Sequence, residues 1–358
     1  MGFAVYGNHG VTHHEPERSF NGVTLYTTIG AETTRLIDMA GNVVHEWTPP
    51  APARPFYGFL RDNGNLLVRC YDNTEPFTGG GFGRLLVELD WDGNVVWSYD
   101  HPTIHHDHIV LRNGNIMVIG WEELTPEQEA RVKGGREGIG RSGPGHAMLG
   151  DFLLEINAAG EVVWEWHGHD KLDPEQEVIE GNGIRNEWTH CNGVTELLNG
   201  DICISFRQTS QIVFISKQTG DVYWRFGPGE LSHQHNPTQL DNGNLLIFDN
   251  GETRASGGVF SRVVELDPKT SEIVWQYRGD PSLSFFSTGI SGAQRLPNGN
   301  TAICDGRTGR LFEVTMEGDA VWEYMNPEIC FWRGENLNRA IFRALRYPVD
   351  GPEVRGRV

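Results

Sequence analysis

One seven-residue motif occurs six times along the 358-residue chain, and this repeat constrains the fold more than any other feature. Each copy begins with a pair of turn residues, followed by two β-branched or apolar residues. The fifth residue is usually Trp, the sixth varies, and the seventh is aromatic. The copies are GNVVHEW (41–47), GNVVWSY (93–99), GEVVWEW (160–166), GDVYWRF (220–226), SEIVWQY (271–277) and GDAVWEY (318–324). Their fifth positions are separated by 52, 67, 60, 51 and 47 residues. This spacing is too long for solenoid coils and suits units of four short strands.

A second motif, an Asn-Gly pair that enters an apolar run, alternates with the first. The pairs begin at residues 21, 63, 113, 199, 242 and 298. Asn-Gly is the strongest two-residue hairpin signal, because both residues tolerate positive φ. In one unit the two motifs predict strands over 104–111, 116–120, 152–156 and 162–166. The chain is therefore predicted to be all-β, a six-bladed β-propeller of four-stranded antiparallel blades in a single domain spanning 1–358. The repeated tryptophans are predicted to be core residues.

The chain starts in the middle of a blade, because predicted strands over 23–28 and 35–39 precede the first aromatic motif. The missing strand of that blade is predicted over 340–347. The ring would then close by pairing of the N- and C-terminal segments, which removes an exposed sheet edge. The alternative is a short amphipathic helix over 337–346, since periodicity alone does not separate the two.

Composition excludes several classes of partner. The chain has 48 acidic and 29 basic residues and a formal charge of −19, so no nucleic acid or anionic membrane partner is expected. The five cysteines are odd in number and lack metal-type spacing, which predicts a reduced, cytoplasmic setting. Residues 1–20 contain no apolar signal region and no run of 18 apolar residues occurs, so neither export nor membrane insertion is expected. The sequence leaves the oligomeric state open.

Two inserts, 121–150 and 167–187, interrupt the repeat. In the first, Thr125-Pro126-Glu127-Gln128 has the residues of a capping box and predicts a helix over 126–133. The second contains another helix-type start over 173–176. Both inserts are expected near the mouth of the propeller channel, although ordinary variable loops are an equal alternative.

Histidines break the repeat at the start of three successive inner strands. The segments are HHDH (105–108), HCN (190–192) and HQHN (233–236), whereas two other blades have FYG (56–58) and SGAQ (291–294). Inner strands line the channel of a propeller, so three imidazoles are expected at one mouth. A repeat that departs from its own pattern in adjacent units indicates a site. The candidate binding residues beside these imidazoles are His105, Asp107, Asn192 and His233.

Arg207 lies at the end of an otherwise apolar strand, in SFRQTSQIVFI (205–215). A permanently charged guanidinium in such a place needs an anion or a carboxylate. It could be a structural ion pair with Asp or Glu. Together with the histidines, it suggests an oxyanion substrate.

At these residues the chain resembles the bacterial aryl sulfotransferases that use no nucleotide sulfate donor. The segments that carry the resemblance are HHD (105–107), WTHCN (188–192), SFRQTSQI (205–212), KQTGDVYW (217–224), QHNPTQLDNGNLLIFDNG (234–251), SGAQRLPNGN (291–300) and RALRYP (343–348). The resemblance implies a six-bladed propeller, a small aryl sulfate donor and a phenolic acceptor, with no cofactor. It also implies a ping-pong reaction in which His235 attacks the sulfur, while His106, His190 and Arg207 surround the sulfuryl oxygens.

Within this mechanism, His106 is assigned to proton transfer with the phenol and is expected to be oriented by the adjacent Asp107. His190 and Arg207 are assigned to the sulfuryl oxygens, because sulfuryl transfer should resemble phosphoryl transfer in its charge-dispersed transition state. Period-2 alternation would place His233 and His235 on one face, so the choice of His235 depends on the resemblance.

Two alternatives belong to other classes. His106, His190 and His235 could hold a divalent metal such as Zn²⁺ in a lyase or hydrolase, with Arg207 binding an anionic substrate. The other alternative is a non-catalytic propeller that binds a partner at its mouth.

Overall fold

The two repeated motifs define six four-stranded antiparallel blades, so the predicted six-bladed β-propeller fold is confirmed. The computed structural model describes residues 8–72, 74, 80–137, 147–254, 258–332 and 336–358. Its residues group into two compact units, one of 1–70, 86–98 and 290–358 and the other of 71–85 and 99–289. That the whole chain is a single domain stays a prediction.

The first part of the first unit contributes eight strands. They are β1 (Gly10–His14), β2 (Gly22–Thr28), β3 (Thr34–Ile37), β4 (Val43–Trp47), β5 (Arg54–Leu60), β6 (Leu66–Tyr71), β7 (Leu85–Leu89) and β8 (Val95–Asp100). Strands β5 to β8 form one blade in sequential order.

The second unit contains three blades. The first has β9 (Ile104–Val110), β10 (Ile116–Glu123), β12 (Leu149–Ile156) and β13 (Val162–His167), and β11 (Gly134–Arg136) pairs separately with β14 (Ile179–Ile184). The next has β15 (Cys191–Glu196), β16 (Ile202–Phe206), β17 (Gln211–Ile215) and β18 (Val222–Phe226). The third has β19 (His235–Gln239), β20 (Leu245–Asp249), β21 (Arg262–Asp267) and β22 (Glu272–Arg278).

The last part of the chain returns to the first unit and completes two blades there. It has β23 (Gly292–Arg295), β24 (Thr301–Asp305), β25 (Arg310–Val314), β26 (Ala320–Met325), β27 (Cys330–Trp332), β28 (Asn336–Asn338) and β29 (Ile341–Pro348). Strand β29 pairs with β2, from Gly22 opposite Pro348 to Thr28 opposite Ile341. The predicted closure by terminal segments is therefore confirmed, and the alternative helix over 337–346 is wrong. Strand β1 adds a fifth strand beside β26, which the sequence analysis did not predict.

Helices are few and short. The predicted capping box forms at the start of α1 (Pro126–Arg131), where Thr125 accepts from the Gln128 amide and the Gln128 side chain accepts from the Thr125 amide. A second helix, α2, spans Gly168–Lys171, and a 3-10 turn spans Ser282–Ser284. The helix-type start at 173–176 makes only a turn, because the chain then enters β14. Residues 138–146 of the first insert lie outside the described residues. No described helix is long and apolar enough to cross a membrane.

The repeated aromatic residues connect consecutive blades. In the second unit, the Trp164 indole N–H donates to the Lys217 carbonyl and that of Trp224 donates to the Pro268 carbonyl, each at 3.0 Å. In the first unit, Trp322 donates in the same way to Met39 at 2.9 Å. Trp322 is fully buried, whereas Trp164 and Trp224 are half-buried. These fifth-position tryptophans are therefore packing residues at blade interfaces, and only some lie in the core.

Candidate active site

The histidine segments lie where the regular strand ladder is broken. His106, His190 and His233 have positive φ values of 49°, 51° and 53°, which non-glycine residues rarely adopt. The pairing of each inner strand also shifts at a bulge close to these residues. Alternation along a strand therefore does not apply here, and His233 precedes β19 rather than sharing a face with His235. Backbone strain of this kind concentrates at functional sites.

His105 and His106 form a hydrogen-bonded imidazole pair. Their Nδ1 atoms lie 2.7 Å apart, and Nε2 of His105 lies 3.1 Å from the buried carboxylate of Asp151. His105 is fully buried and stacks on Trp121 at 3.9 Å between ring centroids. Burial lowers the pKa of His105 despite the opposing effect of Asp151, so the ring is neutral. Each Nδ1 can donate or accept, so one of the two rings donates its Nδ1–H to the other.

The carboxylate that is predicted to orient His106 binds two backbone amides. Asp107, expected to orient it, accepts from the backbone amides of His108 at 3.0 Å and Val194 at 3.2 Å. Its carboxylate thus connects β9 to β15. The ring of His105 faces Nδ1 of His106.

His190 adjoins this pair and has its own carboxylate. Its ring centroid lies 4.5 Å from that of His106, and its Nδ1 is hydrogen-bonded to the buried carboxylate of Glu187. Arg207 lies beside it, since the Arg207 amide donates to the His190 carbonyl at 3.1 Å. Glu187 was missed in the sequence, where its only signal is its position three residues before His190.

His233 and Arg207 share one carboxylate. Glu252 Oε2 lies 2.9 Å from Nδ1 of His233 and 2.7 Å from Nη2 of Arg207. Glu180 lies 3.5 Å from the other ring nitrogen of His233. Burial lowers the pKa of His233 more than Glu252 raises it, and Arg207 lowers it further. Glu252 is therefore the carboxylate partner that a structural ion pair of Arg207 would require. The Arg207 side chain remains 22% exposed.

His235 is held by neutral acceptors. Its Nδ1 lies 2.7 Å from Oδ1 of Asn250 and 3.1 Å from the carbonyl of His233. The Asn250 amide nitrogen donates to the Ser287 carbonyl at 2.8 Å, which fixes the side-chain oxygen toward His235. Both neighbours of Nδ1 accept, so Nδ1 carries the proton and Nε2 carries the lone pair.

Asn192 adds a polar group next to these histidines. Its Nδ2 donates to the carbonyl of Gln234 at 2.8 Å. Its side-chain oxygen is buried and receives no hydrogen bond from the residues that the structure describes. A buried acceptor without a donor is costly, so this oxygen is suited to receive a hydrogen bond from a ligand or water.

A glycine pair approaches His106 and His190 from the segment before β7. The Gly81 carbonyl accepts from the His106 amide at 2.7 Å, and Gly81 has a φ of +75°. A Cβ at Gly81 would overlap the His106 ring around Nε2. A Cβ at Gly80 would only reach van der Waals contact, 4.0 Å from Cε1 of His190.

The predicted metal ligands do not form a compact set. A metal site needs ligand atoms that all lie within about 4.8 Å of one another, and in the described part of the chain His106, His190 and His235 do not meet this distance. In the described structure each of these imidazoles is hydrogen-bonded through Nδ1 to a different neighbour.

The two depressed histidine pKa values predict a pH-dependent stability. Burial holds the pKa of His105 and of His233 below the ordinary 6.5, so below that pH the unfolded chain binds more protons than the folded one. The contribution of these two groups to the free energy of unfolding is therefore highest above pH 6.5 and falls as the pH drops below it. Each group contributes at most about 1.4 kcal/mol per pH unit. Denaturant unfolding of His105→Gln should show a smaller slope between about pH 6.5 and 5.

His13→Gln is the matched control, because His13 is an exposed histidine. It should keep the slope of the unmodified protein. Equal slopes in the unmodified protein and His105→Gln would contradict the assignment of a neutral, buried His105.

Buried imidazoles on the inner strands, each held by its own hydrogen-bond partner, define a β-propeller with a histidine-based site. The chain belongs to the family described as Arylsulfotransferase (ASST), whose profile matches residues 60–327. A comparison with curated proteins gives no match.

Comparison with solved structures gives several matches. A protein of unknown function from Bacteroides caccae has a TM-score of 0.58 at 15% identity, over 91% of this chain and 100% of that one. A streptogramin B lyase has a TM-score of 0.49 at 12% identity, over 95% and 93% of the two chains. Virginiamycin B lyase from Staphylococcus aureus has a TM-score of 0.46 at 13% identity, over 93% and 92%. At these identities the first likeness concerns the fold alone.

Proposed function

We propose that this protein transfers a sulfuryl group from an aryl sulfate to a phenol through a sulfohistidine on His235. Family membership supports an aryl sulfotransferase-like function. The observation that carries the finer proposal is the fixed tautomer of His235, whose Nδ1 is bound to Asn250 and to the His233 carbonyl. A neutral imidazole with its lone pair on Nε2 is a competent covalent nucleophile.

Charge favours His235 over His233 as the nucleophile. His233 lies between the carboxylates of Glu252 and Glu180, which would repel an anionic aryl sulfate. The side chain hydrogen-bonded to Nδ1 of His235 is the neutral amide of Asn250.

The reaction has two balanced steps. In the first, the Nε2 lone pair of His235 forms a bond to sulfur while the bond between sulfur and the aryl oxygen breaks. The leaving phenolate takes a proton from Nε2 of protonated His106. In the second, the acceptor phenol returns a proton to His106 as its oxygen bonds to sulfur, and the bond between sulfur and His235 breaks. His105 and Asp151 would disperse the charge while His106 is protonated.

Two groups are proposed to bind the sulfuryl oxygens. Glu252 holds one nitrogen of Arg207, leaving the other guanidinium N–H groups to bind oxygens. Glu187 holds Nδ1 of His190, so the Nε2 side of that ring is directed away from the carboxylate. Donors fixed in advance stabilise the charge-dispersed transition state most effectively.

Intact-protein mass spectrometry after exposure to a chromogenic aryl sulfate tests this proposal. We expect a sulfo adduct on the peptide that contains His235 and a burst of phenol, followed by loss of the adduct when a phenol is added. A protein that gives neither adduct nor burst with any aryl sulfate tested would rule the proposal out.

Gly81→Ala should reduce the rate of sulfuryl transfer while the protein remains folded. A Cβ at this position overlaps the His106 ring, and the φ of +75° is unfavourable for alanine. A displacement of about 1 Å at a catalytic group can lower the rate about 100-fold. Gly80→Ala is the matched control, because its Cβ meets no close contact. Steady-state assays in which both variants turn over equally would show that the position of His106 does not matter.

A further inference from the structure

A second histidine cluster lies where β10 and β13 end, apart from the imidazoles described above. Oε2 of Glu122 lies 2.9 Å from Nδ1 of His167, and its Oε1 lies 2.8 Å from Nδ1 of His169. Ligand atoms of the three side chains all lie within 4.8 Å of one another. The side chains are 22%, 30% and 19% exposed, so solvent reaches them.

The sheet brings these residues together across an intervening strand. Glu122 pairs with Gly150 of β12, and His167 pairs with Phe152 two residues further along the same strand. Residues two apart on a strand share a face of the sheet. Because Gly150 has no side chain, the Glu122 carboxylate can reach across β12 to the imidazoles.

The turn between the two histidines is fixed by packing. Gly168 is buried, and a Cβ there would lie 3.0 Å from the Asp151 carbonyl oxygen. The Leu172 amide donates to the Gly168 carbonyl at 2.9 Å, and the Leu172 side chain belongs to the hydrophobic core. The backbone therefore holds His167 and His169 on either side of one anchored residue.

We infer that Glu122, His167 and His169 form a binding site for a divalent first-row transition metal of the Zn²⁺ type. Two imidazole nitrogens and a carboxylate are the ligands of open zinc sites, which keep a position for water or another small ligand. In a neutral imidazole the Nδ1 proton moves to Nε2 of the same ring, which leaves the Nδ1 lone pair for the metal. Metal–ligand distances of about 2.0–2.2 Å require the nitrogen and oxygen atoms to separate by only a few tenths of an ångström.

Carboxylates beside the other ring nitrogens support this assignment. Oδ1 of Asp170 lies 3.3 Å from Nε2 of His169, and Oε2 of Glu165 lies 3.8 Å from Nε2 of His167. Metal-binding histidines usually donate their second N–H to such a partner, which orients the ring and raises its basicity. A carboxylate near each Nε2 leaves Nδ1 as the nitrogen directed at the metal.

Equilibrium dialysis of the chelator-treated full chain against Zn²⁺, with elemental analysis, tests the site. We expect one tight Zn²⁺ per chain. Glu122→Gln and His169→Asn should each weaken the affinity more than about 100-fold, and Asp170→Asn by about 10-fold. Saturating Zn²⁺ should raise the Tm of the unmodified protein but not of the first two variants. His13→Asn, at an exposed histidine 3.1 Å from Glu15, should bind like the unmodified protein.

Circular dichroism on each variant checks that the fold is retained. The assignment is wrong if the unmodified protein binds no Zn²⁺, or if Glu122→Gln and His169→Asn keep its affinity. A lower Tm in Glu122→Gln with unchanged Zn²⁺ affinity would show that the cluster is only a hydrogen-bonded one. None of these measurements uses sulfuryl transfer, so they do not depend on the proposed function.

Discussion

His235→Ala should lose sulfuryl transfer almost completely, by about 10⁴-fold or more, because no other group in the site replaces a covalent nucleophile. The sulfo adduct should disappear from the intact-protein mass spectrum, and the phenol burst should disappear with it. Asn250→Asp should also slow transfer, because a carboxylate beside Nδ1 would place negative charge next to the incoming sulfate.

His233→Ala is the informative comparison for this result. It removes a similarly buried imidazole that is bound to Glu252, and it keeps the His233 backbone carbonyl that accepts from Nδ1 of His235. We expect it to form the adduct, at a reduced rate. An adduct that persists in His235→Ala and is lost in His233→Ala would exchange the two roles.

Arg207→Gln should have the second largest effect, a decrease in kcat of about 100- to 1000-fold with little change in KM. The guanidinium would act mainly on charge that develops in the transition state, which is the pattern expected when a donor to an oxyanion is removed. Rapid-quench measurement of sulfohistidine formation separates this step from the second transfer. Arg207→Lys keeps the charge but loses the planar fork, so an intermediate rate is expected.

The control for this series is Arg112→Gln. Arg112 is an exposed arginine whose Nη1 donates to the Leu198 carbonyl at 3.1 Å, beside an Asn-Gly turn. If Arg112→Gln and Arg207→Gln are equally active, Arg207 serves only the ion pair with Glu252.

The repeat made the fold predictable because its information is local. The strand predicted over 104–111 is observed at Ile104–Val110, and the helix predicted over 126–133 is observed at Pro126–Arg131. Hairpin turns and capping boxes depend on residues next to each other in the chain. The fifth strand β1 carries no such signal and was missed.

The site was predictable only in part. The histidines were visible because they break the repeat, but their hydrogen-bond partners were not. Asp151 lies in β12 and Asn250 directly follows β20, and the local pattern at neither position indicates a contact with His105 or His235. Bulges and positive φ values at these strand starts further change which way each side chain faces, so simple alternation was wrong for His233.

The carboxylate of Asp107 has a consequence for how this scaffold can diversify. It fastens β9 to β15 by accepting amides from both strands, inside the second unit. This short buried side chain thereby links β9, which contains His106, to β15, which directly follows His190. The insert 121–150 supplies Trp121, which stacks on His105, and the insert 167–187 supplies Glu187, which holds His190, so these two residues must be kept when the inserts vary. A library that varies the inserts but keeps Asp107, Trp121 and Glu187 would explore new acceptors on a conserved candidate site.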